Sequence, residues 1–441
     1  MPAMQMSQLD TLGAAPADAG RSRWKLLVQH ERFPLACALA GVALWWALSC
    51  ALHPGVIVDE LDHFAVIREL REGTSPLARE MPMPLTYHWL ARAVLWPWEP
   101  PLWGVRALSA LLSSGGLFIF DAAARRENAR RPAPAGEAGP SLWHWAFLPL
   151  LFPYSALVYT EPLALTAVAV ALYGRARGQA WLAAAAMLGS CLVRQSHVVW
   201  LAFFCLWELV EAWPRLGRGM ARWLGLVRAG LPYGLAAAVM IALFVSRGSL
   251  SFSNLPNNDA GFNPGQFCVL GAFVLLLWAP VWVARGPLAA AACAAAVRAR
   301  PLTSGLGLAV GVPLAAWGGL RFANLNEWNW LPEFVGNWLL IWMDRHAALA
   351  TAIILADAAA LGLLLWLGRP QQARLLLGAL LFFTLIYLAP QNLIDPRYFV
   401  VPVALAHWLV RLSAAESRLL GVWYGGLSVA MAVVVLLGGM W

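Results

Sequence analysis

Carboxylates and imidazoles beside an apolar block are the first residues in this chain whose types and spacing could do chemistry. Val58-Asp59-Glu60-Leu61-Asp62-His63-Phe64 follows such a block directly. Read as a helix at about 100° per residue, Asp59, His63, Val66 and Leu70 share a face about 60° wide. Glu60 turns to another face with Phe64 and Ile67. A carboxylate in a partly desolvated cavity at a membrane surface has a raised pKa, which suits it to accept a proton from a hydroxyl. The same acids would also serve as the cap and first turn of a helix, where the dipole favours negative charge.

Three further groupings lie at the ends of apolar blocks. Tyr159-Thr160-Glu161-Pro162 sets a carboxylate between two of them, and Arg194-Gln195-Ser196-His197 sets an arginine and a histidine at the end of another. An ionisable residue in or beside lipid is costly and is a functional candidate by default, although an Arg194–Glu161 pair bracing two helices would satisfy the same spacing. Asp395-Pro396-Arg397-Tyr398-Phe399 places an arginine and a tyrosine where a lipid-linked phosphate could be bound bidentately, or where the arginine could snorkel to headgroups. Tyr87, Trp89, Trp96 and Trp98 read as headgroup-level anchors on an interfacial segment, and His88 beside them either lines a site or belongs to that segment. The loops 251–259 and 321–330 combine amides with aromatic rings, as sugar sites do and as water-facing loops also do.

The elements that must position these residues are apolar helices. The chain has 441 residues, 61% hydrophobic and 12% charged, with a mean hydropathy of +0.64. A soluble protein carries about 25% charged residues, so a soluble enzyme, a disulfide scaffold and a disordered chain are all excluded. Apolar blocks fall near 33–52, 102–123, 142–158, 160–174, 179–194, 196–212, 229–246, 267–284, 302–320, 347–367, 373–389, 398–412 and 419–440. A bilayer core takes about 20 residues per helix, so the expectation is an all-α polytopic membrane protein of about 13 spans. Residues 1–32 form a leader without an apolar core, and 33–441 form the membrane domain. Arginine runs at 125–131, 175–177, 215–228, 285–300, 369–374 and 411–418 fall on the side of the N-terminal Arg21, Arg23 and Lys25, which makes that side cytoplasmic. The long first loop, 53–101, is then external and holds seven of the 23 carboxylates and three of the eight histidines. The net charge of +8 reflects this bias rather than nucleic-acid binding.

Several chemistries find no motif. There is no phosphate-binding Gly-x-x-x-x-Gly-Lys loop, no Gly-x-Ser-x-Gly elbow, no His-Glu-x-x-His helix and no metal-spaced cysteine pair. Neither a metal nor a cofactor is expected. The two halves of the chain are unlike, which argues against an inverted-repeat transporter.

The four groupings together resemble the DIE2/ALG10 alpha-1,2-glucosyltransferases, within the GT-C type of membrane glycosyltransferase. That family's Met-Asp-Glu-Ile-Phe-His is matched by Asp59, Glu60 and His63. Its Tyr-Thr-Asp is approached by Tyr159-Thr160-Glu161, its Arg-Gln-Thr-Asn-Ile-x-Trp by Arg194-Gln195-Ser196-His197-Val198-Val199-Trp200, and its Pro-Arg-Tyr by Pro396-Arg397-Tyr398. The resemblance implies a GT-C-like bundle whose external first loop carries interfacial helices and the catalytic carboxylate. It implies inverting transfer of a hexose such as glucose from a polyprenyl-phosphate donor to a hydroxyl of a glycan or lipid-linked acceptor. Asp59 and Glu60 would be catalytic, while His63, Glu161, Arg194, Gln195, His197, Arg397 and Tyr398 would bind substrate. The near absence of lysine points to a bacterial relative in the inner membrane using an undecaprenyl-type carrier. The alternative is a transporter or lipid flippase that uses the same acids and arginines for substrate or protons.

Overall fold

The computed structural model describes residues 32–57, 60–73, 76–95, 99–252, 265–321, 335–367, 371–391 and 394–437. Asp59 and the amide-rich loops 253–264 and 322–334 lie outside the described residues.

The described chain is helical, as the apolar blocks require. Its helices are α1 (Phe33–Leu52), α2 (Glu60–Glu72), α3 (Pro76–Glu80), α4 (Thr86–Val94), α5 (Leu102–Arg130), α6 (Leu142–Ala146), α7 (Glu161–Ala176), α8 (Ala180–Val193) and α9 (Val198–Ala212). They continue as α10 (Met220–Arg247), α11 (Gly265–Leu277), α12 (Ala279–Ala299), α13 (Pro301–Arg321), α14 (Val335–Arg345), α15 (Ala347–Leu367), α16 (Gln371–Leu388), α17 (Val400–Leu409) and α18 (Ala414–Leu436). The chain turns where backbone chemistry demands it. α1 stops before Pro54, because proline disfavours helix at the residue preceding it. α10 ends on Gly248 in the left-handed region (φ 69°), where a side chain would be strained.

Among the described residues, five helices are long and apolar enough to cross a membrane, or six if one bent pair counts as a span. These helices fit a multi-pass integral membrane protein. Among the described residues the expected count of about 13 spans is not confirmed, and several of the apolar blocks are interrupted or short. The block 142–158 is α6 followed by a short 3₁₀ turn, Phe152–Ala156, because Pro149 and Pro153 break the helix. The block 267–284 bends by 83° between α11 and α12. α7, α8 and α17 have 16, 14 and 10 residues, too few for a 30 Å core at about 1.5 Å per residue.

The core runs along α5, α7, α8 and α9 and is filled by Trp45, Trp200, Trp207, Phe203 and Phe204. Two glycines allow close approach between these helices. A side chain at Gly116 of α5 would meet Thr166 Oγ1 at 2.8 Å, and one at Gly174 of α7 would meet the backbone of Ala183 in α8 at 2.8 Å. The C-terminal ends of α5, α7 and α9 converge on Glu211, which accepts from Arg131 at 2.6 and 3.0 Å, from Arg175 at 2.9 Å and from Trp207 Nε1 at 2.8 Å. At this same end a two-residue antiparallel pairing, β1 (Glu137–Ala138) with β2 (Leu412–Ser413), ties the two halves of the chain together. The capping-box acid Glu416 there also receives Arg285.

Candidate functional site

The opposite end of the bundle collects the C-terminal ends of α1 and α8 and the N-terminal ends of α5, α7 and α17. The first loop folds over this end as α2, α3 and α4, with α2 packed against α4.

The loop is held by Arg106, in the second turn of α5. Its guanidinium donates to Glu60 through Nε at 3.0 Å and through a terminal nitrogen at 2.6 Å. It also donates to the carbonyls of Ser49 (2.8 Å), His53 (2.6 Å) and Gly55 (2.8 Å). Glu60 completes its shell with the backbone N–H groups of Ile57 at 2.9 Å and Val158 at 2.8 Å. Glu60 is fully buried and accepts four hydrogen bonds. That shell occupies both carboxylate oxygens and ties the start of α2 to α5 and to the turn before α7. The expected segregation of faces on α2 is also revised: Glu60, His63, Val66 and Ile67 are all buried, so the inward face is about twice as wide as the sequence reading allowed.

His63, on that face, meets His88 of α4, with Nδ1 and Nε2 2.9 Å apart. The edge of its ring faces Tyr159 at 5.5 Å, which brings the first and second groupings together. Burial, then the nearby His88, Arg397 and Arg194, push the His63 imidazole well below its ordinary pKa. Burial alone brings His88 down to about 4. Both rings are therefore neutral near pH 7.

The two arginine groupings border the histidines. Arg397 sits with its guanidinium 5.2 Å from the centre of the Tyr159 ring. It is paired with Asp395, whose carboxylate also accepts from the Arg397 backbone at 2.8 Å. Burial would raise the Asp395 pKa, but the Arg397 charge and hydrogen bonds outweigh it, so the carboxyl is held below its ordinary range. Arg194 is ion-paired with Glu161 and lies 6.0 Å from the Tyr398 ring. Tyr398 in turn meets Tyr387 edge-on at 6.2 Å. Gln195 reaches over to donate to the Pro82 carbonyl of the first loop. His197 points back into the bundle, where its Nδ1 meets Ser190 Oγ at 2.7 Å, and Ser190 Oγ donates to the Ala164 carbonyl at 3.1 Å.

The fold thus brings His63, Tyr159, Glu161, Arg194, Arg397 and Tyr398 to one place, with Gln195 at its edge and His197 behind it. His88, which the sequence left open between lining a site and belonging to the interfacial segment, joins them, as does Arg106, which was not singled out. Arg106 had a signal, since an arginine within an apolar block is costly unless partnered. Among the described residues no group of three His, Cys, Asp or Glu side chains could hold a metal ion.

No curated protein and no solved structure matches the chain. Residues 101–223, which run from α5 through α9 and include Arg106, Tyr159, Glu161, Arg194, Gln195 and His197, match the model of the DIE2/ALG10 family, and that likeness implies a glycosyltransferase.

Proposed function

We propose that the chain is a GT-C-type glycosyltransferase that moves a hexose, with inversion, from a polyprenyl-phosphate donor to a hydroxyl of a glycan or lipid-linked acceptor. One observation carries this reading. Four groupings far apart in sequence meet at one end of the bundle, around a neutral histidine pair bordered by two carboxylate-held guanidiniums. That end is the one opposite the arginine-rich ends of α5 and α7, which favours an external site and a cytoplasmic N-terminus.

In this scheme the acceptor oxygen attacks C1 of the sugar while the bond from C1 to the phosphate oxygen breaks. The acceptor proton passes to Asp59, the residue next to the anchored Glu60, and the polyprenyl phosphate leaves with both electrons of the broken bond. Arg397 and Arg194 neutralise the charge that grows on the phosphate, where preorganised donors contribute most. Each guanidinium is already oriented by a carboxylate and an aromatic ring, so little reorganisation is needed when the charge appears. His63 and Tyr398 contact the donor, Glu161 and Gln195 orient the adjoining loops, and His197 fixes the α8–α9 turn from behind. The fully hydrogen-bonded Glu60 keeps the first loop in register instead of acting as base.

The transporter reading retains one observation of its own. Asp357 lies within apolar α15, buried, with neither carboxylate oxygen hydrogen-bonded among the described residues, and it occupies the space a side chain at Gly271 would need. The two readings separate in one assay. Purified protein in liposomes is offered radiolabelled polyprenyl-phosphate glucose, mannose or arabinose, or the corresponding nucleotide sugars, with membrane glycans as acceptors. Transfer of label from a polyprenyl-linked sugar alone supports the transferase. Movement of intact donor across the bilayer without its consumption would replace this reading by transport.

A further inference from the structure

The histidine pair holds information that the transfer scheme above does not use. His63 and His88 share one proton between Nδ1 and Nε2, so one ring donates and the other accepts. The remaining nitrogen of His88, Nδ1, is buried without a hydrogen-bond partner among the described residues. If His88 accepted through Nε2, its neutral ring would carry the proton on Nδ1 and bury an N–H with no acceptor. If His88 donates through Nε2, only a lone pair is left bare. Buried N–H groups without acceptors are the rarer and costlier of the two.

We infer that His88 donates to His63 and thereby locks His63 as a neutral imidazole whose proton sits on Nε2, a fixed donor to an oxygen of the lipid phosphate. This rests on the proposed transfer reaction for the identity of the ligand. His88 is a positioning residue, because it acts through His63. The groups around the pair agree with a donor rather than a base. Tyr159 meets His63 edge-on, Tyr87 meets His88 edge-on at 5.6 Å, and the Arg194 and Arg397 charges both act on His63. Two guanidiniums and burial together oppose an imidazolium, while they favour an anionic oxygen as the partner of the Nε2 proton. Of the carboxylates on these elements, Glu60 is held by Arg106, Glu161 by Arg194 and Asp395 by Arg397.

The test uses the full chain in lipid nanodiscs with nitrogen-15-labelled histidine, the His63 signals being those lost in His63→Asn. The expected result is a neutral ring with protonated Nε2 and bare Nδ1 from pH 8 to 5.5, and a displaced Nε2 signal when undecaprenyl phosphate is added. His88→Leu should yield a mixture of tautomers and lower the transfer rate by about tenfold, less than the roughly hundredfold or more that loss of a whole preorganised donor costs. His88→Gln, whose amide N–H can replace the lost donor, should restore both the tautomer and most of the rate. Protonated Nδ1 on His63 in the wild type, an Nε2 signal unmoved by the lipid phosphate, or His88→Gln no better than His88→Leu would each overturn the inference. The tautomer is read without turnover, so a wild type that transfers no sugar counts against the proposed function and leaves this result intact.

Discussion

Replacing Arg106 by Met keeps the length of the side chain and removes its charge and donors. Five hydrogen bonds disappear, two to Glu60 and three to the carbonyls of Ser49, His53 and Gly55. Glu60 remains fully buried with two backbone donors and no counter-charge. Removing one partner of a buried pair costs about 3–5 kcal/mol, most of it the penalty of the stranded charge. Of the three carbonyls, that of Ser49 keeps the His53 backbone N–H and that of exposed Gly55 can turn to water, so they add little and Arg106→Met falls within that range. Adding Glu60→Leu removes the stranded charge, so the double variant should be more stable than Arg106→Met alone although it has lost more contacts. The measurement is equilibrium unfolding in mixed micelles, followed by circular dichroism, for wild type, both single variants and the double. A loss below about 1 kcal/mol in Arg106→Met, with no recovery in the double, would refute the claim that this pair anchors the first loop.

Three further outcomes are expected. Arg397→Ala should raise the KM for donor and lower kcat/KM by about a hundredfold, roughly 2.7 kcal/mol of transition-state stabilisation, with little change in the KM for acceptor in steady-state kinetics. Glu211→Gln should destabilise the end of the bundle remote from the site, because Arg175, fully buried against the Trp207 ring at 3.7 Å, loses its counter-charge; proteolysis of the loop between α5 and α6 would report it without a matching loss of donor binding. Folded-state stability should fall as the pH drops from about 6.5 and level off below about 4, since the unfolded chain binds a proton that buried His88 refuses over that window. His88→Gln should flatten part of this slope in unfolding measured at pH 7.5, 6 and 5.

The site was more legible in the sequence than the fold around it. Asp-Glu after a span, Tyr-Thr-Glu, Arg-Gln-Ser-His and Pro-Arg-Tyr stand out because ionisable residues beside apolar blocks are costly, and the chain brings residues from all four groupings to one end. Partnership was less legible than position. Spacing alone made Glu60 a possible base, whereas the convergence of Arg106 and two backbone N–H groups on its carboxylate is the observation behind the anchoring role proposed above. The span count was less legible, because hydropathy does not distinguish a lipid-facing helix from one buried among other helices. α7 and α8 are apolar enough to be read as spans, yet much of their surface faces protein, and Pro149 and Pro153 end the helix in a block whose composition looks uninterrupted. The bend between α11 and α12 falls at Trp278, two residues before Pro280, which interrupts the backbone ladder in a block whose composition is otherwise uniformly apolar.

The most direct test of the central claim compares wild type with Asp59→Asn, both purified in lipid and both folded by circular dichroism, for consumption of radiolabelled polyprenyl-phosphate glucose. The account predicts transfer by the wild type and less than about a tenth of that rate in the variant, a loss of more than about 1.4 kcal/mol of transition-state stabilisation. Retention of full transfer by Asp59→Asn would contradict the assignment of the base, and a wild type that neither consumes nor binds any polyprenyl-linked sugar would contradict the account as a whole.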